Sequence, residues 1–320
     1  MRKKRCYISV VVPLYNEEEN VVELYNELKE VLGRREEEYE IIFVNDGSSD
    51  TTEEKLKDLA KGDKRVKVIS LSRQYGQTSA LAAGIDFASG DVIITMDGDL
   101  QHNPEEIPFF LEEINKGWDV VTGWRKKRLD NFFLRQLPSY LANSLMRWIS
   151  GIKVRDFGST FKAYKAPVIK QIELFGELHR FIPVLAVKGG AKIKEIPINI
   201  RERKGGKSKY GIKRAFGVFE DLIFLYFYLH YLQNPIRAFG KLFFLFFGAG
   251  FLISTALMVL WLFGVIGAVI EHGALLLFSV FLMVTGVQFL VGGIVAELLS
   301  RIYFRTGQLK IYSIKETVNL

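Results

Sequence analysis

Two long stretches towards the carboxyl end carry no charge, Leu242 to Ile270 and Gly273 to Ala296, and only Glu271 and His272 separate them. A membrane crossing needs about 20 predominantly apolar residues. Each stretch qualifies, and the short break makes the two a helical hairpin. Helices of this length that are apolar on every side are rare in water, which argues against buried helices of a soluble bundle. The break contains no Lys or Arg, whereas Arg237 and Lys241 precede the pair and Arg301, Arg305 and Lys310 follow it. Positive residues stay on the cytoplasmic side. The expectation is an integral membrane protein with both termini and the whole amino-terminal part in the cytoplasm.

Ahead of the hairpin, short β-branched runs alternate with charged segments of helical period. Ile8–Val12, Glu40–Val44, Val66–Ser70, Val92–Met96 and Asp119–Thr122 read as strands, and Glu17–Leu32, Thr51–Ala60 and Gly76–Ala88 as helices. This alternation predicts an α/β domain with a mainly parallel, doubly wound sheet. The basic start "MRKKR" with its apolar continuation resembles a signal peptide, but Pro13 interrupts it and acids follow without a small-residue cleavage site. Cys6 is the single cysteine, so no internal disulfide framework exists.

The net charge of +7 is concentrated. Residues 201–214 contain Glu202 as their lone acid among many Lys and Arg, and residues 123–155 contain Asp130 as theirs. Such patches call for an anionic partner: nucleic acid, a phosphorylated ligand or an anionic membrane face. Both adjoin stretches rich in Phe, Leu, Trp and Tyr, 131–153 and 212–235, that are too short or too charged to span. These read as amphipathic helices at the headgroup level, or as helices packed on the α/β domain.

Ligands on such sheets bind at the carboxyl ends of the strands, where "PLYNEEEN", "NDGSSDT" and "DGDLQ" all fall. Asp97 and Asp99, with Gly98 between them, form a hard-oxygen pair suited to Mg²⁺ or Mn²⁺ bridging phosphate oxygens, and Gln101 offers another oxygen. Asp46 can accept hydrogen bonds from a nucleobase or ribose, with Asp50 as a helix cap behind it. Glu17 could reach the same base or ribose. No phosphate loop or G-x-G-x-x-G pattern is present. A nucleotide would therefore be held by metal and strand-end carboxylates. His102, His179, His230 and His272 show no metal-ligand spacing.

"VVPLYNEEENV", "FVNDGSSDTT", "MDGDLQHNPE" and "ERKGGKSKYG" together resemble family 2 glycosyltransferases of the GT-A fold, and more narrowly the polyprenyl-phosphate glycosyltransferases, both bacterial undecaprenyl-phosphate glucosyltransferases and dolichol-phosphate mannose synthases. The resemblance implies a Rossmann-like catalytic domain with Pro13, Tyr15, Glu17, Asp46 and Asp97 around the nucleotide, and Asp97, Asp99 and Gln101 at the metal and diphosphate. It implies Arg125, Arg135, Arg203, Ser208 and Lys209 at the phosphate of the acceptor lipid. "VRDFGSTFKAY" matches a segment at the reaction centre and nominates Asp156, as a base or as a structural carboxylate paired with Arg155 or Lys162. Asp99, Asp156, Arg125, Arg203 and Lys209 are thus the catalytic candidates. "SLMRW" departs from the Q/R-x-x-R-W motif of processive synthases, which argues against polysaccharide extrusion.

The resulting expectation is a metal-dependent, inverting enzyme that moves one hexose, UDP-glucose favoured, from a nucleotide sugar to polyprenyl phosphate. GDP-mannose or an aminoarabinose-type sugar is the alternative. The expected layout is a GT-A domain over 1–210 with 131–153 interfacial, a juxtamembrane amphipathic helix over 211–236, two spans within 237–300 (about 242–270 and 273–296), and a cytoplasmic tail over 301–320. A nucleic-acid-binding role for the patches lacks any accompanying motif. The small residues of "GAG" and "VGG" in the hairpin suit helix packing and homo-oligomers.

Overall fold

The computed structural model describes residues 7–126, 137–201, 225–232, 234–267, 269–306 and 310–320. The chain divides into two units, Met1–Leu222 with Lys310–Leu320, and Ile223–Leu309.

The first unit is built on an eight-stranded sheet. Its parallel centre consists of β1 (Tyr7–Leu14), β2 (Glu38–Asn45), β3 (Val66–Leu71) and β4 (Val92–Thr95). β1 pairs with both β2 and β4, and β2 with β3. The strands are β-branched on both faces, as a sheet covered on both sides requires. Even-numbered residues of β1, such as Val10 and Val12, join a core with Leu24 and Leu28 of α1 (Val21–Gly33), Leu56 of α2 (Thr52–Gly62) and Phe110 of α4 (Ile107–Asn115). On the other face lies α3 (Gln77–Phe87), whose Gly84 sits so close that a Cβ there would come 2.3 Å from a methyl of Val11. Every strand and helix read from sequence in this part is present.

Four further strands complete the sheet in the order β7-β5-β6-β4-β1-β2-β3-β8. β5 (Val120–Arg125) runs with the central strands, while β6 (Lys162–Lys165) lies antiparallel between it and β4. β7 (Ile193–Ile198) adds in parallel to β5. β8 (Ile314–Val318) pairs antiparallel with β3, so residues expected only as a tail contribute an edge strand. Helix α5 (Leu137–Ser150) covers most of the 131–153 stretch, with Trp148 77% exposed near its end.

In the second unit two long helices, Ile236–Leu262 and Gly273–Thr306, pack against each other. The first stops well before Ile270, because Gly264 adopts φ 69°, the left-handed conformation that ends helices. The second runs beyond Ala296 through Arg301. Close approach is achieved through small residues: Cβ atoms at Gly250 and Gly286 would come 2.4 Å from the Ser279 carbonyl oxygen and 2.7 Å from the Phe247 nitrogen. Ser254 and Ser279 share a 2.7 Å hydrogen bond across the pair. Both helices are long and apolar enough to cross a membrane, with 11% of each most apolar window buried.

Candidate active site

Strands β1, β2 and β4 end side by side, so the segments that leave them form one polar rim. The amide of Met96 still donates to the Val11 carbonyl at 3.2 Å, and the chain then turns through Asp97, Gly98 and Asp99. A Cβ at position 98 would lie 2.1 Å from Leu14 Cδ2 and 3.4 Å from the Pro13 carbonyl oxygen. Glycine is what lets the carboxylate turn rest on the end of β1. Leu100 follows at φ 61°, an unfavourable conformation for a side chain of its size, and the Gln101 amide closes the turn on Asp99 Oδ1 at 3.1 Å.

Asp97 keeps about a third of its side chain exposed, 33%, yet is held from two sides. Gln77 Nε2 donates to Oδ1 at 2.7 Å, and His102 Nε2 lies 3.4 Å from Oδ2 and 3.2 Å from Thr160 Oγ1. Burial acts to raise the Asp97 pKa. The hydrogen bond and charge of His102, then Thr160 and the charge of Arg125, outweigh it and hold the carboxyl at about 2. The group is thus a firm anion at neutral pH.

At the end of β5, Arg125 meets Asp156 in a forked pair, Nε to Oδ2 at 2.6 Å and Nη2 to Oδ1 at 2.9 Å. Asp156 is 2% exposed. Its own amide and that of Arg155 donate to Glu195 Oε1 of β7, while Asn143 of α5 accepts from the Phe157 amide at 3.3 Å. Arg155 turns outward and lies over the Trp124 ring. Among the described residues Asp156 is thus forked by Arg125, while Arg155 faces Glu195 and Trp124 and Lys162 feels the Asp156 charge through the buried floor. Lys162 of β6 is fully buried and donates to the Ser159 carbonyl. Burial pulls its pKa down to about 8, against the charges of Asp156 and Asp97. Carboxylates and cations thus alternate through the floor of this part of the rim.

Asp46, at the end of β2, is almost fully buried, with its oxygens taken by the amides of Tyr75 (2.7 Å) and Gly76 (2.9 Å). Burial raises its pKa, and those two amides oppose the rise. Gly47 follows at φ 67°, where a Cβ would press to 2.5 Å from the Arg73 carbonyl carbon. Asp50 accepts from the Thr52 amide at 3.0 Å, from one position ahead of Thr51, which is the N-cap of α2. Pro13 stands opposite Val44 in the sheet, Tyr15 follows it, and Asn16 at φ 54° accepts from the Ser49 amide at 2.8 Å. The Glu17 amide donates to the Thr52 hydroxyl, and its carboxylate accepts from Asn20 Nδ2.

The structure thus gathers Pro13, Tyr15, Glu17, Asp46, Asp97, Asp99, Gln101, Arg125 and Asp156 at the carboxyl ends of the strands. Arg135, Arg203, Ser208 and Lys209 lie outside the described residues. His102, Gln77, Thr160 and Lys162 are additions. His102 stands five residues after Asp97, a nearness that metal-ligand spacing does not capture. Among the described residues, no group of three His, Cys, Asp or Glu side chains could hold a metal alone. Two strand-end carboxylates, one firmly ionised, fit a hard divalent ion that takes its other ligands from phosphate oxygens and water.

A family model described as glycosyl transferase family 2 matches residues 9–173. The chain is 38% identical to a dodecaprenyl-phosphate galacturonate synthase of Rhizobium johnstonii, over 97% of this chain and 92% of that protein. It is 36% identical to an undecaprenyl-phosphate 4-deoxy-4-formamido-L-arabinose transferase of Edwardsiella ictaluri, over 93% and 90%. Among solved structures, glucosyl-3-phosphoglycerate synthase from Mycobacterium tuberculosis, in complex with Mn²⁺ and UDP-glucose, shares the fold. Its TM-score is 0.51 at 18% identity, with 68% of this chain and 77% of that one covered.

Proposed function

The chain belongs to glycosyl transferase family 2, and on that premise we propose that it transfers a single sugar from a nucleotide sugar to polyprenyl phosphate at a membrane surface. The observation that carries this reading is the placement of the Asp97–Gly98–Asp99 turn on the same strand-end rim as the Arg125–Asp156 fork, a carboxylate turn and an oriented guanidinium for two anionic substrates. The relatives carry galacturonate and 4-deoxy-4-formamido-arabinose in their names. They favour the aminoarabinose-type alternative, or a uronic acid, over the glucose expected from sequence.

In this reading Asp46, Glu17, Pro13 and Tyr15 surround the nucleoside, and Asp97, Asp99 and Gln101 face the diphosphate. A divalent cation there, Mg²⁺ or Mn²⁺, would neutralise the departing diphosphate. Arg125 faces the phosphate of the lipid, with Arg135, Arg203, Ser208 and Lys209 as its companions. A lipid phosphate has a second pKa of about 6, so it is already a nucleophile. Its oxygen bonds to the anomeric carbon as the bond from that carbon to the diphosphate oxygen breaks, with inversion. No strong base is needed, and Asp156, with both oxygens on Arg125, is an orienter of that guanidinium.

The pairing of β8 with β3 supports an even number of crossings, since the chain before the first long helix and after the second belongs to one unit. With the basic flanks, this supports a cytoplasmic catalytic unit.

The test is transfer to undecaprenyl phosphate from a panel of UDP- and GDP-sugars that includes UDP-galacturonate and UDP-4-deoxy-4-formamido-arabinose. Wild type, Asp99→Ala and an EDTA control run in parallel. One donor that is active only in the untreated wild type is the expected result. No transfer and no nucleotide binding by a folded wild type would sink the reading.

A further inference from the structure

One element touches both carboxylates that the proposed donor site depends on. Residues 72–77 lead into α3: the amides of Tyr75 and Gly76 hold Asp46, and the Gln77 side chain holds Asp97. The backbone of Arg73 and Gln74 also packs directly on Gly47. None of these contacts is self-supporting, because the segment between β3 and α3 has no regular structure from Ser72 to Gly76.

The carboxyl-terminal segment supports that element at both of its ends. The Ser72 amide donates to the Ser313 carbonyl at 2.9 Å, just before β8 pairs with β3. At the far end of α3, the Tyr312 hydroxyl donates to Asp86 Oδ2 at 2.6 Å, and Lys310 lies over the Phe87 ring. Tyr312 is 7% exposed, so this is a seated anchor and not a surface contact. Beyond it, Lys315 and Glu316 pair with Glu53 and Lys57 of α2, and Asn319 donates to the carbonyls of Ala60 in α2 and Val66 at the start of β3.

We infer that residues 310–319 are a positioning element of the donor site. They fix the 72–87 segment, and through its amides and Gln77 they set the geometry of Asp46 and Asp97. The inference rests on the proposed nucleotide-sugar site. It assigns these residues an effect on donor binding and not on the lipid phosphate, because among the described residues their contacts are with α2, β3 and the 72–87 segment.

The test uses the full-length protein in detergent micelles, Tyr312→Phe, and a chain ending at residue 309, with UDP and GDP titrated by calorimetry. The active donor gives KM values for donor and lipid separately. Truncation is expected to weaken nucleotide binding and raise the donor KM by about tenfold or more, and Tyr312→Phe by a few-fold, the worth of one buried hydrogen bond. The acceptor KM stays within twofold. A synthetic peptide of residues 310–320 restores donor binding to the truncated chain by strand addition. Unchanged nucleotide affinity in both variants overturns the inference, as does a parallel rise of both KM values. Loss that the peptide leaves unrepaired, together with an unaffected Tyr312→Phe, also overturns it, as general misfolding. If wild type itself binds neither nucleotide, the donor-site reading fails first and takes the inference with it.

Discussion

Arg125 and Asp156 face each other through two parallel contacts of 2.6 and 2.9 Å, and the carboxylate is buried while the guanidinium is about one-quarter exposed, 26%. A forked pair of this kind fixes the plane of the guanidinium. Asp156→Asn keeps the shape but removes the charge and one acceptor. The expected outcome is a fall in transfer of about a hundredfold with nucleotide affinity within twofold, read by initial rates beside UDP titration. Arg125→Lys loses the fork and is expected to fall similarly. Rates near wild type for both would remove the pair from the acceptor site.

Asp99→Asn should abolish the metal response while leaving the fold intact. Transfer is expected to drop by at least about a hundredfold, with a melting temperature within a few degrees of wild type. EDTA should bring wild type to the same level, and added Mn²⁺ or Mg²⁺ should restore wild type alone.

Gly47 offers a backbone test at the rim. Its φ of 67° and the 2.5 Å approach to Arg73 leave no room for a methyl group. Gly47→Ala should destabilise the catalytic unit by about 1–3 kcal/mol and raise the donor KM. Differential scanning calorimetry gives the first quantity and donor kinetics the second.

Acid stability should report on Asp63, at the turn between α2 and β3. The side-chain hydrogen bonds from Arg65, helped by the Arg65 amide and Tyr25, overcome burial and hold its carboxyl at about 2. An unfolded aspartate titrates near 3.9. The stabilisation is therefore complete above about pH 4 and disappears as the pH falls through about 2. Asp63→Asn is expected to cost about 1–2 kcal/mol at pH 7. Melting curves of variant and wild type should converge as the pH drops below 3; a constant offset down to the lowest pH would exclude the ionic explanation.

In the helix pair, Gly286 meets the Phe247 backbone and side chain. Gly286→Leu should force the helices apart at a cost of about 1–3 kcal/mol, measured as a lower melting temperature in detergent without a change in the donor KM at temperatures where the variant remains folded.

The parallel centre was legible because its strands are buried on both faces and read as continuous apolar runs, bounded by turns. β6, β7 and β8 were not. β6 is four residues with Lys at both ends, β7 contains Pro197, and β8 is a polar pentapeptide. The sheet order explains the last two: both are edge strands, where proline and charge are tolerated. The strand-end carboxylates were legible from their motifs, whereas Gln77 and Thr160 come to Asp97 from 20 residues before it and from beyond β5, distances that no local pattern encodes. His102 carried a usable signal in its nearness to Asp97.

The return of β8 to the sheet also has a consequence for how the chain is made. Lys57 and Glu316 are ion-paired yet 259 residues apart, and both long helices must be synthesised before the second of them exists. Until residues 313–318 have left the ribosome, β3 lacks its β8 partner and Ser72 lacks the Ser313 carbonyl. A chain arrested during insertion of the helices would therefore hold an unfinished sheet, exposed to aggregation and to quality-control proteases. Pairing of β8 with β3 thus places completion of this sheet edge after synthesis of both long helices.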